Sequence, residues 1–330
     1  MVCNEFTFLS ADRKTAIHAV EWLPEGEVRF VLQIAHGVAE YILRYAPLAE
    51  FLTARGFAVV GHDHLGHGSS VAEGAPRLYF GPKGSWDWVV EDIYTLRTLA
   101  GRRFPGVPYF LLGHSMGSFL LRTYLVRYPG TVDGAIIMGT GHMPAAALSA
   151  AKVFVAQQIL KVGETKSSTA VTKLSFGTYN RMFAPNRTAF DWITVSTAAV
   201  DAYIKDPMCG ENPTMGLFRE MLSGMAFIGR MENIRKMNAN TPMIFLSGSM
   251  DPVGSCGKGV QQAFHLFQKA GMRTVSIKLY PGLRHEILNE DCKDVVFRDL
   301  HQWMLDHLPT WYAAAEAPPY HGSGEETATS

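Results

Sequence analysis

No charge of one sign dominates this chain. Lys plus Arg number 30, Asp plus Glu number 30, and the formal net charge is zero. A nucleic-acid partner calls for a cationic excess, and electrostatic docking on an anionic membrane calls for a polybasic stretch; the sequence offers neither. Cysteine is scarce and scattered. Cys3, Cys209, Cys256 and Cys292 form no close pair, so there is no Cys-x-x-Cys zinc element, and a disulfide framework is not expected in a chain this long. No apolar run approaches the roughly 18 residues of a spanning helix. Residues 1–14 are polar and lack the apolar core of a secretion signal. These absences read as a soluble, cytoplasmic protein. No internal repeat is visible.

What is present is a large apolar fraction, 47% of 330 residues, enough for one core with an inserted subdomain. Short apolar runs alternate with helical patterns. Residues 29–35, 57–60, 109–112, 134–138, 243–247 and 274–280 read as buried strands. Residues 45–55 carry Leu48, Phe51 and Leu52 at helical spacing and stop at Gly56; 86–103 carry Trp88, Ile93, Leu96 and Leu99. Residues 118–126, 260–269 and 292–308 complete the helical set, and 5–9 with 15–22 read as an antiparallel edge hairpin. The alternation predicts an α/β fold with a mainly parallel sheet flanked by helices. It breaks between about 140 and 240. There Leu148, Val155 and Ile159 form a stripe flanked by Phe154, and 189–204 and 215–228 are also helical in pattern. We therefore divide the chain into a core (1–139 and 240–308), an inserted helical cap (140–239) and a disordered tail (309–330). A cap in that place lies over the carboxyl ends of the strands, where ligands bind in open α/β sheets.

The chemistry is concentrated in Gly113-His114-Ser115-Met116-Gly117, which follows one predicted strand and opens a predicted helix. A serine hydroxyl is a poor nucleophile until a base takes its proton. A sharp strand-to-helix turn, flanked by Gly because the backbone crowds itself there, presents such a hydroxyl to base and substrate. Acyl transfer needs a base, an acid to orient it and donors for the oxyanion. Each has a candidate at a strand end. Asp251 follows the 243–247 run, although Asp251-Pro252 alone reads equally well as a turn. His285 follows the 274–280 run. The order Ser115, Asp251, His285 is that of strand-to-helix serine hydrolases. The backbone N–H groups of Val38, in the His36-Gly37-Val38 loop, and of Met116 are the candidate oxyanion donors. The run His62-Asp63-His64-Leu65-Gly66-His67 resembles a metal site at first sight, but no Cys or carboxylate cluster completes a shell, so no metal and no cofactor is expected.

Together these segments resemble the α/β-hydrolase superfamily, and within it the monoacylglycerol lipase and lysophospholipase group classed with serine aminopeptidase-type hydrolases. The resemblance spans roughly residues 5–308. It rests on His36-Gly37-x-x-Glu40 with Arg44-Tyr45, on Asp63-x-x-Gly66-His67-Gly68-x-Ser70, and on the Ser115 motif. It rests further on Ser247-Gly248-x-x-Asp251-Pro252-Val253-Gly254 and on Arg284-His285-Glu286-Ile287-Leu288-Asn289-Glu290. In the insertion, Phe190-Asp191-Trp192 and Tyr203-Ile204-x-Asp206-Pro207-x-Cys209-Gly210 are similar to bacterial members. The resemblance implies Ser115 as nucleophile, His285 as general base and acid, Asp251 as orienting acid, and His36, Gly37, Gly113, His114 and Gly117 as supporting positions. It implies a small-molecule acyl ester as substrate and no nucleic acid. The loop carrying the bulky Val38 and Ile42 departs from the more glycine-rich loop of animal members. A peptidase or amidase on the same fold, a metal hydrolase built on the His62 run and a non-catalytic small-molecule receptor stay open as alternatives, as does a transient membrane contact through the cap.

Overall fold

The computed structural model describes residues 1–312. In chain order the elements are β1 (Val2–Leu9), β2 (Ala16–Leu23), β3 (Phe30–Ala35), α1 (Ala46–Thr53), β4 (Phe57–His62), α2 (Trp86–Arg103), β5 (Tyr109–His114), α3 (Met116–Arg127) and β6 (Gly134–Met138). There follow α4 (Ala145–Val162), α5 (Thr169–Leu174), α6 (Phe176–Tyr179), α7 (Thr197–Lys205), α8 (Met215–Ile228) and α9 (Met231–Ile234). The chain then returns to the sheet with β7 (Met243–Gly248), α10 (Lys258–Ala270), β8 (Val275–Tyr280) and α11 (Lys293–Asp306).

One sheet runs in the order β1-β2-β4-β3-β5-β6-β7-β8. The β1–β2 and β2–β4 pairs are antiparallel, and every pair from β4–β3 to β7–β8 is parallel. The central strands β3 to β7 are buried along their whole length, because helices cover both faces and leave no solvated side for alternation. On one face Val31, Leu111, Ile137 and Phe245 pack with α2, α3 and α10. On the other, Leu32, Leu112, Ile136 and Leu246 pack with α1 and α11. Gln33 is the polar exception in β3. Its amide donates to Ile93 O at 3.0 Å and its carbonyl accepts from Tyr109 OH at 2.7 Å, so its burial leaves neither end unpaired.

Helices α4 to α9 all fall between β6 and β7. α4 is long and apolar enough to cross a membrane by length and composition alone; here it packs on α8, burying Leu148 and Val155 against Met215, Phe218 and Leu222. The expected helix over 189–204 is shorter. Only Thr197–Lys205 is helical, because the preceding segment is held by side chains instead: Asp191 accepts from Thr188 and from the Arg187 N–H, and Asn180 accepts from the Trp192 N–H. The tail expected over 309–330 lies outside the described residues from 313 on. Its described start differs from expectation: residues 310–312 form a helical turn, and the Tyr312 ring lies 5.6 Å from that of Phe30.

Candidate active site

The loops that leave the carboxyl ends of β3, β5, β7 and β8 converge, and each brings one candidate group. β5 ends at His114, and Ser115 stands alone between it and α3 with φ 53° and ψ −120°. That is a strained conformation for a residue with a side chain. It is held by the Ser115 N–H donating to Met138 O at 3.0 Å, and Ser118 Oγ donates to Ser115 O at 2.6 Å. The turn depends on its glycines. A methyl on Gly113 would strike the Gly117 backbone, and one on Gly117 would strike Ala35 O and come within 2.6 Å of His36 O.

Asp251, fully buried, follows β7. His285, 4% exposed, follows β8. His285 Nδ1 lies 3.0 Å from each Asp251 carboxylate oxygen. Asp251 also accepts from Val253 N–H at 2.9 Å and Ser247 Oγ at 3.2 Å. A carboxylate so placed fixes Nδ1 as the protonated nitrogen and leaves Nε2 with a free lone pair. Ser115 is 9% exposed. Among the described residues no hydrogen bond joins its hydroxyl to the His285 ring, although both side chains line the same cavity.

Val38 and Met116 border the same space. Gly37 brings the β3 loop close: a methyl there would lie 3.1 Å from Ser115 Cβ and 3.4 Å from His114 Nδ1. His36 sits behind. Its Nδ1 donates to Gly37 O at 2.7 Å and its Nε2 accepts the His64 N–H at 2.9 Å. The histidines of the 62–67 run are sealed in the interior. Burial, reinforced by the neighbouring imidazoles, pulls His62 and His67 down to about 3 and His64 well below its ordinary value. They are neutral packing groups, and among the described residues no group of three or more His, Cys, Asp or Glu is disposed to hold a metal ion.

The converging groups line a cavity of about 910 Å³, near the upper end of the ~300–1,000 Å³ usual for small-molecule pockets. Ser115, Met116, Val38 and His285 line it from the sheet side. The insertion supplies apolar walls that include Phe154, Val155, Phe176, Trp192 and Phe218. Ile159 packs with Leu148 and Val155 inside the insertion, as the stripe read in the sequence has it, while Phe154 and Val155 reach the cavity. Phe176 and Tyr179, which also line the cavity, lie in no periodic pattern, and only their aromatic character marks them in the sequence. Tyr179, pushed up to about 12 by burial and by the Asp251 charge, closes the wall near that acid.

The loop carrying His285 is stitched to the insertion. Glu286 N–H donates to Ile193 O at 2.6 Å, and Arg284 donates to Asp191 O and Thr194 O. Glu290 accepts from Thr194 Oγ1 at 2.7 Å and Val195 N–H at 2.9 Å. The Trp192 ring lies 5.2 Å from the His285 ring.

Known proteins resemble the chain over most of its length. The chain is 29% identical over 289 residues to the monoacylglycerol lipase of Mycolicibacterium smegmatis, covering 87% of this chain and 92% of that one. It is 25% identical over 303 residues to the human monoglyceride lipase, covering 90% and 89%. Among solved structures, a thermostable carboxyl esterase from Bacillus coagulans in complex with glycerol superposes with a TM-score of 0.85 at 27% identity, covering 93% of this chain and 99% of that one. Residues 26–292 match the model of the Hydrolase_4 family, described as serine aminopeptidase, S33, and the chain belongs to that family of α/β-hydrolases.

Proposed function

We propose that this protein is a serine hydrolase of single-chain acyl esters, of the monoacylglycerol or lysophospholipid type. The observation that carries the reading is the cavity: a large, mostly apolar space lined by Ser115, by the acid-paired His285 and by Val38 and Met116. His285 Nε2 takes the proton of Ser115 Oγ as the oxygen attacks the ester carbonyl. The N–H groups of Val38 and Met116 hold the oxyanion, at the amino terminus of α3, where the helix dipole favours negative charge. The alcohol leaves with the proton from His285. Water, activated by the same ring, then cleaves the acyl-enzyme and restores Ser115. The names of the relatives above support the ester class.

A peptidase gripping an amino terminus needs an unpaired carboxylate in the cavity. The lining acids are all engaged: Glu40 and Glu286 pair with Arg44, and Glu211 pairs with Arg77 at 3.0 Å. That favours an uncharged ester over a small peptide. Steady turnover of simple esters would remove the receptor reading.

If the insertion houses the acyl chain, each buried methylene adds up to ~0.8 kcal/mol, and kcat/KM should rise along a series of p-nitrophenyl esters until the space is full. Phe154→Ser should depress turnover of long-chain esters and spare the butyryl ester. Equal loss on both, with a lowered melting temperature, would mean that this face is only packing. We further propose that the insertion touches lipid transiently. Val153, Leu160 and Leu174 stand exposed on α4 and α5. Leu160→Asp should weaken co-sedimentation with phosphatidylcholine vesicles and leave hydrolysis of a soluble ester unchanged; undiminished co-sedimentation would remove the contact.

A further inference from the structure

A buried charge cluster lies behind Ser115, and the mechanism above does not use it. Arg44 Nη1 donates to Glu40 Oε2 at 2.6 Å, and its two terminal nitrogens reach the Glu286 carboxylate at 3.0 and 2.7 Å. Glu40 Oε1 accepts the Gly37 N–H at 2.6 Å and the Tyr45 hydroxyl at 3.1 Å, and it faces His114 Nδ1 at 3.1 Å. The other ring nitrogen, His114 Nε2, faces the carbonyl oxygen of His285 at 3.3 Å. Both partners of the ring are therefore oxygens that can only accept. A neutral imidazole has one N–H and one lone pair, so either tautomer would aim a lone pair at an oxygen inside the protein, where such a clash is costly. An imidazolium donates to both. The charge count agrees: two carboxylates and one guanidinium leave the cluster one positive charge short.

We propose that His114 is kept as an imidazolium, and that this fixed charge positions the His285 backbone and neutralises Glu40 beside the oxyanion site. The inference rests on the reading of Ser115 and His285 as the reacting pair. A Cβ at Gly37 would lie 2.5 Å from Glu40 Oε1 and 3.1 Å from Ser115 Cβ, so the Glu40 carboxylate borders the region where negative charge gathers during attack. It shapes the loop through the Gly37 N–H, and left alone its charge would oppose the oxyanion. The His114 cation cancels it at contact distance. The His114 and His285 rings lie 4.9 Å apart, and Gly139 makes that approach feasible: a methyl there would come within 3.2 Å of both rings.

The groups facing His114 are Glu40, Glu286, Arg44, Tyr45, His36 and His285. Burial pulls the His114 imidazole down, but the Glu40 hydrogen bond and charge, with Glu286 behind them, outweigh burial and hold it above its ordinary value. Burial pushes the Glu40 carboxyl up, and Arg44 and His114 more than reverse that. The stability this pair adds is therefore full between the ordinary carboxylate and histidine values. It is lost as pH rises through the raised histidine value or falls through the lowered carboxylate value.

The test begins with ¹⁵N ring spectra of the unaltered protein at about pH 8, where an ordinary histidine is neutral. The His114 signals are identified by sequential assignment and by their loss in His114→Gln. Both nitrogens should carry protons and show imidazolium shifts; a single neutral tautomer would overturn the proposal, whether or not the variant folds. His114→Gln keeps a donor and removes the charge. It should lower kcat on p-nitrophenyl butyrate roughly 10- to 100-fold with little change in KM. Adding Glu40→Gln to that variant should restore part of the loss, because the unbalanced carboxylate is gone. Losses that simply multiply would refute the charge balance. Fluorophosphonate labelling of Ser115 separates the two ideas: failure to label removes the serine mechanism and leaves the protonation of His114 standing.

Discussion

Replacing Ser115 by Ala should leave a folded protein whose ester turnover falls by roughly 10⁴-fold or more, and His285→Ala should do nearly the same. The hydroxyl makes no hydrogen bond among the described residues that the fold would miss, and the side chain faces the cavity, so stability should hardly change. The double variant should lose little beyond either single one, because the base has nothing to activate once the nucleophile is gone. A fluorophosphonate should label Ser115 in the unaltered protein and fail to label Ser115→Ala. Full activity in that variant, or labelling of another residue, would sink the assignment.

The second large effect concerns folding. Gly117→Ala places a methyl against the Ala35 and His36 carbonyls of β3 and its loop. Both neighbours are backbone in a buried central strand and its first turn, so neither can rotate away as a flexible side chain would. The fold should lose roughly 3 kcal/mol or more, or fail to form. Gly26→Ala is the control, since nothing lies within 4 Å of the added methyl. Thermal melts of the two variants decide the matter. A Gly117→Ala protein that melts like the parent would mean that α3 can slide off β3, and the tight turn would no longer explain how Ser115 is presented.

The core was legible in the sequence for a physical reason. A parallel strand covered on both faces must be apolar throughout, and 134–138 and 243–247 read as such runs; they coincide with β6 and the body of β7. The helix over 86–103 has the bounds of α2, though its buried face runs through Trp86, Val89, Ile93, Leu96 and Ala100 and leaves Leu99 exposed. The insertion was harder to read. Its α5 and α6 span six and four residues, too short for periodicity to emerge, and the stretch before α7 takes its shape from Asn180 and Asp191 side chains. The candidate triad was readable because each member sits at the end of a strand that could itself be read. The cluster around His114 was not. Glu40, Arg44 and Glu286 stood in the motifs, but Arg44 and Glu286 are 242 residues apart, and no local pattern tells an ion pair from two solvated charges.

The stitching of residues 191–195 to the His285 loop divides the insertion into two parts with different freedom to change. The part that borders His285 shares hydrogen bonds with the loop that holds it, so a shift there would move the proposed base and should alter the rate for every substrate. Among the described residues the α4 face around Phe154 has no such tie to Ser115 or His285. Selection for a new acyl chain therefore has one stretch of wall to remodel at little risk and another it must leave nearly untouched. A library randomised at the cavity-lining positions Ala147, Ala150, Ala151 and Phe154 should yield variants of altered chain preference, whereas one randomised at 191–195 should yield mostly inactive protein.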